Sequence, residues 1–316
     1  MRAARIHQYG DASVIRIDDL ARPAPGPGQV LIRVAATSFN PTEAALRSGM
    51  LRDLTPTDLP LTLGWDVAGT IAELGEGVRE YAVGDRVVGL IGAAAADFAV
   101  ADATAVVAAP VTIPLADAAA LPLAGLTAWQ VIERAGLTEG ERVLVNGAGG
   151  GIGGFVVQLA KRAGAWVIAT AGPRSTQVVR RQGADHVIDY TATPLVDAVG
   201  DRVDVVLNLV PLDQAQATAV AALARPGGRV VSATNVIGAP PGVTATHVVA
   251  DNDPEHLAAL VALVDRGAVT VDISERRTLD DLAALHRRSE AGDIRGKIII
   301  RPGRVPGAPS KLARRV

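Results

Sequence analysis

The chain contains no cysteine among its 316 residues. Disulfides, thiolate–zinc sites and a thiol nucleophile are thereby excluded, and a reducing, cytoplasmic setting is the one such a chain fits. Lysine is almost missing too. Lys161, Lys297 and Lys311 stand beside 28 arginines, which together with the heavy use of alanine reflects a GC-rich coding bias, not a binding function. The formal net charge of −2 leaves no basic excess to neutralise a phosphate backbone, so no nucleic-acid partner is expected. Long apolar runs are lacking as well. The uncharged stretches Ala103–Ala116 and Ala118–Ile132 are interrupted by Pro110, Pro114 and Pro122 and are too short to span a bilayer. Met1–Arg5 leads into polar His7-Gln8-Tyr9, with no secretory apolar core. The five histidines, at 7, 186, 247, 256 and 286, show no ligand-like spacing, and no metal site is expected.

What is present is apolar material: 49% hydrophobic against 20% charged residues, enough for a sizeable core in one large or two ordinary domains. The first 110 residues read as short strands between glycine and proline turns, among them Val30–Val34, Val67–Ile71 and Arg86–Leu90. That grammar suits a compact β-rich domain. Near residue 120 it changes to strand–helix alternation. Strands are expected at Arg142–Val145, Trp166–Thr170, His186–Asp189, Asp204–Leu209 and Arg229–Ser232. Helices are expected after Ile152, over Ser175–Gln182, and from Asp213 to about Arg225, where Pro226-Gly227-Gly228 is a stop signal. Alternation of this kind implies a doubly wound parallel sheet with helices on both faces. After about residue 268 the strand pattern returns at Val269–Ile273, a capping box at Thr278–Asp281 opens a helix, and Lys297–Ile300 is a last strand. The expected architecture is α/β. A Rossmann-type domain over 120–267 is inserted into a β-rich domain made of 1–119 and 268–303, and 304–316 form a flexible tail.

The strand at Val143–Val145 runs into Asn146-Gly147-Ala148-Gly149-Gly150-Gly151-Ile152-Gly153 and then a helix. Strand, glycine loop and helix in that order are the context a dinucleotide fingerprint requires. Glycine permits the tight turn and a close backbone approach, and the free N–H groups at the helix start face a pyrophosphate. Gly147, Gly150, Gly151, Ile152 and Gly153 are therefore candidate cofactor residues. An NAD site places a carboxylate at the end of the second strand to hold the ribose 2′-hydroxyl. Here that strand ends Thr170-Ala171-Gly172-Pro173-Arg174-Ser175, with no acid and one arginine. A guanidinium suits a 2′-phosphate, so the expected cofactor is NADPH. Arg174 also suits a solvated helix start.

Further segments carry a resemblance. They include Asn40-Pro41-Thr42-Glu43, Gly64-Trp65-Asp66-Val67-Ala68-Gly69, Val83–Val87, Leu121–Ala128, Asn146–Gly153, Gly183–Tyr190, Arg225–Arg229 and Gly296-Lys297-Ile298. In this order, over nearly all of residues 1–303, they resemble the zinc-independent medium-chain dehydrogenases/reductases of the quinone oxidoreductase type. The resemblance implies a GroES-like catalytic domain split around a Rossmann domain, a cleft between the two, and a homodimer. Zinc-dependent relatives carry a histidine where this chain has Trp65. The resemblance places Asn40 near the nicotinamide ribose and the substrate, as the candidate catalytic positioning residue. It also assigns Thr127 to the nicotinamide side, and Gly172 and Tyr190 to the adenosine phosphate. Asn208, Leu209 and Val210, with Ala233 and Thr234, follow two strand ends, where open α/β sheets bind ligands. Asn40 equally suits a turn cap before Pro41, and Tyr190 a strand-end aromatic.

One departure concerns the acceptor. Bacterial relatives carry tyrosines after the asparagine segment, whereas this chain reads Ala45-Leu46-Arg47-Ser48-Gly49-Met50-Leu51. A more apolar pocket is expected, with no phenol to give a proton; no side-chain acid is assigned, and water or a backbone-supported solvent chain is left as the donor. Glu43, Arg47 and Asp66 lie close by in sequence and are expected to form a structural ion pair. Without a Lewis acid, hydride delivery to a quinone or an α,β-unsaturated carbonyl is easier than alcohol oxidation. The residues leave open an enoyl-thioester or biosynthetic tailoring reductase, and an NADPH-binding redox sensor without turnover.

Overall fold

A computed structural model describes residues 1–52 and 58–303. The proposed tail at 304–316 lies outside the described residues. The Rossmann-type sheet is present and parallel throughout. Its strands run, in spatial order, His186–Ile188, Trp166–Thr170, Arg142–Asn146, Val203–Asn208, Ala224–Ser232 and Thr244–His247. The chain starts in the middle at Arg142–Asn146, builds outward to one edge, then crosses over and builds to the other. The crevice between Arg142–Asn146 and Val203–Asn208 is thus the topological switch point, where such sheets hold ligands beyond the strand C-termini. Strand interiors such as Val143, Leu144, Val145 and Val205, Val206, Leu207 are wholly buried, as a sheet covered on both faces requires.

The β-rich part is a seven-stranded sheet centred on Gln29–Ser38, which pairs with Asp66–Leu74, Phe98–Asp102 and Lys297–Arg301. A smaller three-stranded sheet holds Arg2–Ile6. The two parts share one apolar cluster: Ala36, Ala68 and Val88 from the β-rich sheet join Val143, Val145 and Phe155 from the parallel one. The helices Pro122–Ala135 and Pro254–Asp265 pack closely, and a Cβ on Gly125 would lie 2.2 Å from Leu260 Cδ2. Leu257 and Leu260 are fully buried at this seam, where truncation of a leucine costs about 2–5 kcal/mol.

Three expected elements end elsewhere. The helix capped by Asp213 stops at Ala221, and Pro226-Gly227-Gly228 lies inside the strand Ala224–Ser232. Gly227 takes a φ of +80° and Gly228 sits where a Cβ would meet the Asp204 carbonyl at 2.6 Å, so the glycines serve a strand irregularity, not a helix stop. The alternating run Val269–Ile273 is a lead-in; the strand itself is Ile273–Thr278. The helix expected over Ser175–Gln182 runs over Pro173–Arg181, because proline fits the first helical position. The Thr278 capping box forms as expected.

Candidate active site

The glycine loop is built from two backbone requirements. Gly147 adopts φ +95°, and its N–H donates to Thr170 Oγ1 at 2.8 Å. Gly153 opens the following helix so close to the loop that an added Cβ would lie 2.4 Å from the Gly147 carbonyl oxygen and 2.5 Å from Ala148 Cα. No side chain caps that helix. The Gly154 and Phe155 N–H groups donate to the Gly150 and Ile152 carbonyls, so it is the N–H groups of Gly151, Ile152 and Gly153, residues that line the crevice, that have no backbone acceptor among the described residues and are available to an anion. A polar lattice holds the strand tips around the loop. Thr170 Oγ1 donates to Asn146 Oδ1 (3.0 Å), Asn146 Nδ2 donates to Asn208 Oδ1 (2.9 Å), and Asn208 Nδ2 donates to the Val210 carbonyl (2.8 Å) and Thr234 Oγ1 (3.1 Å).

Above the loop lies a cavity of about 750 Å³. Gly147, Gly150, Thr170 and Gly172 line it, as do Arg174, Tyr190, Leu209 and Val210. A second cavity of about 210 Å³ adjoins it, sharing Gly147, Gly150, Leu209, Ile294 and Arg295. Asn40, Gly151, Ile152 and Gly153 line this smaller one. The pair has the size and the loop an extended dinucleotide fits. Four residues expected at the cofactor line neither cavity. Asn208 is fully buried with its amide spent in the lattice, and Thr234 is one of its partners. Ala233 N–H pairs with the Asn208 carbonyl, and Thr127 Oγ1 donates back to Leu123 in its own helix.

At the second strand's tip the sequence offers no acid, but space does. Arg174 pairs with Asp293 (2.5 Å) and reaches the Gly292 carbonyl (3.4 Å), 119 and 118 residues away. The Arg174 hydrogen bond, followed by Arg288, holds the Asp293 carboxyl below its usual range. Tyr190 is 60% exposed, and a Cβ on Gly172 would lie 3.5 Å from its hydroxyl.

The floor of the smaller cavity is a buried polar cluster. Asp66 accepts from Leu123 N–H (2.7 Å), Asn40 Nδ2 (2.8 Å) and Ser38 Oγ. Lys297 Nζ donates to Asn40 Oδ1 (2.8 Å) and to Asp66 Oδ2 (3.4 Å). Asn40 therefore turns its amide inward, where it aligns the lysine. The expected ion pair among Glu43, Arg47 and Asp66 does not form: Arg47 pairs with Glu290 and donates to the Gly10 carbonyl (3.0 Å), while Lys297 partners Asp66. Residues 45–51 line neither cavity. The smaller pocket is largely apolar, with Phe39, Leu123 and Ile298 in its wall. Lys297 was not among the residues singled out for chemistry. Its signal was there: one of only three lysines, at the mouth of the buried run Ile298–Ile300. Among the described residues, no group of three or more His, Asp or Glu side chains converges on a metal-sized site.

Glu43 gives the cluster a pH signature. Burial pushes its carboxyl up to about 8, the Asp66 charge adds to this, and the Asn40 N–H, Lys297 and the Gly64 N–H pull the other way. The native state thus keeps a proton that the unfolded chain releases near 4.5, so stability falls as pH rises from 4.5 to about 8. His286 has the opposite sign. Burial, then the Arg47 charge, holds it at about 3, and neither ring nitrogen has a partner among the described residues. Its contribution is complete above 6.5 and fades as pH falls toward 3. The two slopes cancel between 4.5 and 6.5. In urea titrations across pH, Glu43→Gln is expected to flatten the alkaline side by up to about 1.4 kcal/mol per pH unit. His286→Leu flattens the acid side. A Glu43→Gln profile parallel to the parent's would contradict the assignment.

Comparison with known proteins gives two family models. Residues 26–111 match the alcohol dehydrogenase GroES-like domain, and residues 182–300 match the zinc-binding dehydrogenase model. A chloroplast envelope quinone oxidoreductase homolog of Arabidopsis thaliana is 32% identical over 336 residues, covering 96% of this chain and 98% of the relative. A 2-methylene-furan-3-one reductase of Solanum lycopersicum is 31% identical over 96% of this chain and 79% of its own. The structure of Escherichia coli quinone oxidoreductase complexed with NADPH superimposes with a TM-score of 0.86 at 26% identity, covering 96% of this chain and all of the other.

Proposed function

Since the chain belongs to the zinc-independent, quinone oxidoreductase-like medium-chain dehydrogenases/reductases and is an oxidoreductase, we propose that it uses NADPH to reduce a quinone or an α,β-unsaturated carbonyl without a metal. The observation that carries this reading is the continuity of two cavities. The larger lies over the glycine loop, and the smaller runs from that loop to the Asn40–Asp66–Lys297 cluster. A nicotinamide dinucleotide bound there supplies a hydride. The chain's own work is to hold the pyrophosphate on the loop N–H groups, to admit a planar conjugated acceptor between Phe39, Leu123 and Ile298, and to exclude water around it. The relatives' names support both acceptor classes: one is a quinone oxidoreductase homolog, the other a furanone reductase. NADPH over NADH is supported by Arg174 at the cavity wall and by the NADPH complex of the structural relative. The division into 1–119 with 268–303 and 120–267 belongs to the same reading, as does a homodimer. The homodimer has support in the open sheet edge Thr244–His247, flanked in the chain by exposed Val236 and Val249.

The test is oxidation of NADPH, followed by nicotinamide absorbance, against a panel of quinones, enones and enoyl thioesters, with and without a chelator. Turnover with at least one conjugated acceptor, unaffected by the chelator, is expected. Tight NADPH binding with no acceptor turned over would leave a redox sensor as the better account, and loss of activity on chelation would end the metal-free reading.

A further inference from the structure

We propose that Lys297 is a catalytic residue: its ammonium receives the acceptor's carbonyl oxygen in the smaller cavity and gives that oxygen a proton. This rests on the reading of the crevice as a hydride-transfer site. Lys297 is held from both ends. Its N–H donates to the Asp272 carbonyl (3.0 Å), and the neighbouring Gly296 N–H donates to the Gly149 carbonyl (3.2 Å). Its stem passes over the glycine loop, where a Cβ on Gly151 would lie 2.8 Å from Lys297 Cδ. Nζ then reaches Asn40 Oδ1 and Asp66 Oδ2. An ammonium has three N–H donors; two are used, and the third has no acceptor among the described residues. Lys297 lines the smaller cavity and is 3% exposed, so its charge acts with little solvent screening.

Competing donors are few. Arg295 also lines this cavity, but Asp272 holds it at 2.9 Å, and a guanidinium does not release a proton in the accessible range. Asp66 already has three further donors, and its lysine contact is the longest of the four, so the ammonium is not consumed by its counter-ion. The titratable and charged groups around it are Asp66 and Glu43 from the facing elements, with the Arg295–Asp272 pair beside it in the chain. In the step, hydride and its electron pair arrive at the conjugated carbon and a pair moves onto the carbonyl oxygen. Nζ–H passes a proton to that oxygen, and the neutral amine is reprotonated from solvent. Asn40 and Asp66 are positioning residues.

The probe is para-nitrophenol, a phenol whose ionisation is visible by absorbance, bound to the NADP⁺-loaded protein. The parent is expected to lower the bound phenol's pKa by about one unit or more, as a buried cation does, and Lys297→Met to abolish that shift. With an enone, Lys297→Met is expected to lose about 100-fold in kcat, the low end of what a positioned proton donor supplies. Its NADPH affinity should stay within about threefold. Lys297→Arg retains the phenol shift but not kcat, because it keeps the charge and cannot give up the proton; this variant decides the matter if the methionine variant does not fold. A folded Lys297→Met that shifts the phenol like the parent, or a Lys297→Arg with parental kcat, overturns the proposal. A phenol shift that depends on Lys297 in a protein inert toward every acceptor would retain the anion site and overturn the hydride-transfer reading instead.

Discussion

Gly153→Ala is expected to weaken nucleotide binding by about 100-fold while leaving the fold intact. The added Cβ meets only backbone: the Gly147 carbonyl oxygen at 2.4 Å, Ala148 Cα at 2.5 Å and the Ala148 carbonyl carbon at 2.6 Å. No rotamer change relieves such contacts, so the helix start and the loop must part by about 1 Å to restore normal packing. The N–H groups facing the pyrophosphate then lose their convergence. Hydrogen bonds to a charged group contribute about 1.5–3 kcal/mol each, so spoiling one or two accounts for the loss. Gly154→Ala is the control. There the Cβ meets the Gln182 amide end at 2.6 Å, a side chain that can swing away, and binding is expected within about threefold of the parent. Calorimetric titration with NADPH, alongside thermal unfolding, separates the two variants. Parental affinity in Gly153→Ala would mean the nucleotide sits elsewhere.

Arg174→Glu is expected to weaken NADPH by about 100-fold or more and NADH by no more than about threefold. Arg174 is engaged with Asp293, but the pair is exposed, 60% and 55% at the two side chains. Exposed ion pairs contribute only about 0–1 kcal/mol. A 2′-phosphate offers the guanidinium a bidentate, charge-assisted contact that is stronger, so the phosphate wins and Asp293 gives way. Asp293→Ala is accordingly expected to leave NADPH binding unchanged or tighten it by up to about fivefold, the equivalent of about 1 kcal/mol. Glutamate at 174 instead sets a second carboxylate beside Asp293 and repels the phosphate. An equal loss of NADH and NADPH affinity in Arg174→Glu would sink the assignment, because only the 2′-phosphate distinguishes the two cofactors.

Much of the architecture was legible because it rests on short-range rules. Strand–helix alternation dictates a parallel sheet, and Asn146–Gly153 between a strand and a helix reads as a glycine loop, since turn, glycine freedom and helix start are all local. The glycines at 227 and 228 show where local rules mislead: the same Pro-Gly-Gly that stops a helix also fits an irregular strand, and only the neighbouring Asp204 carbonyl decides which.

The residues themselves determined the fold class, the glycine loop and the lack of thiol ligands, because each depends on side-chain type and spacing over a few positions. Tertiary structure alone decided which side chains meet at the far end of the crevice. Lys297 meets Asn40 across 257 residues and Asp66 across 231, and Asp293 meets Arg174 across 119. No periodicity encodes such pairs; they exist because the strand Lys297–Arg301 enters the seven-stranded sheet beside Gln29–Ser38, bringing a buried ammonium to a buried carboxylate.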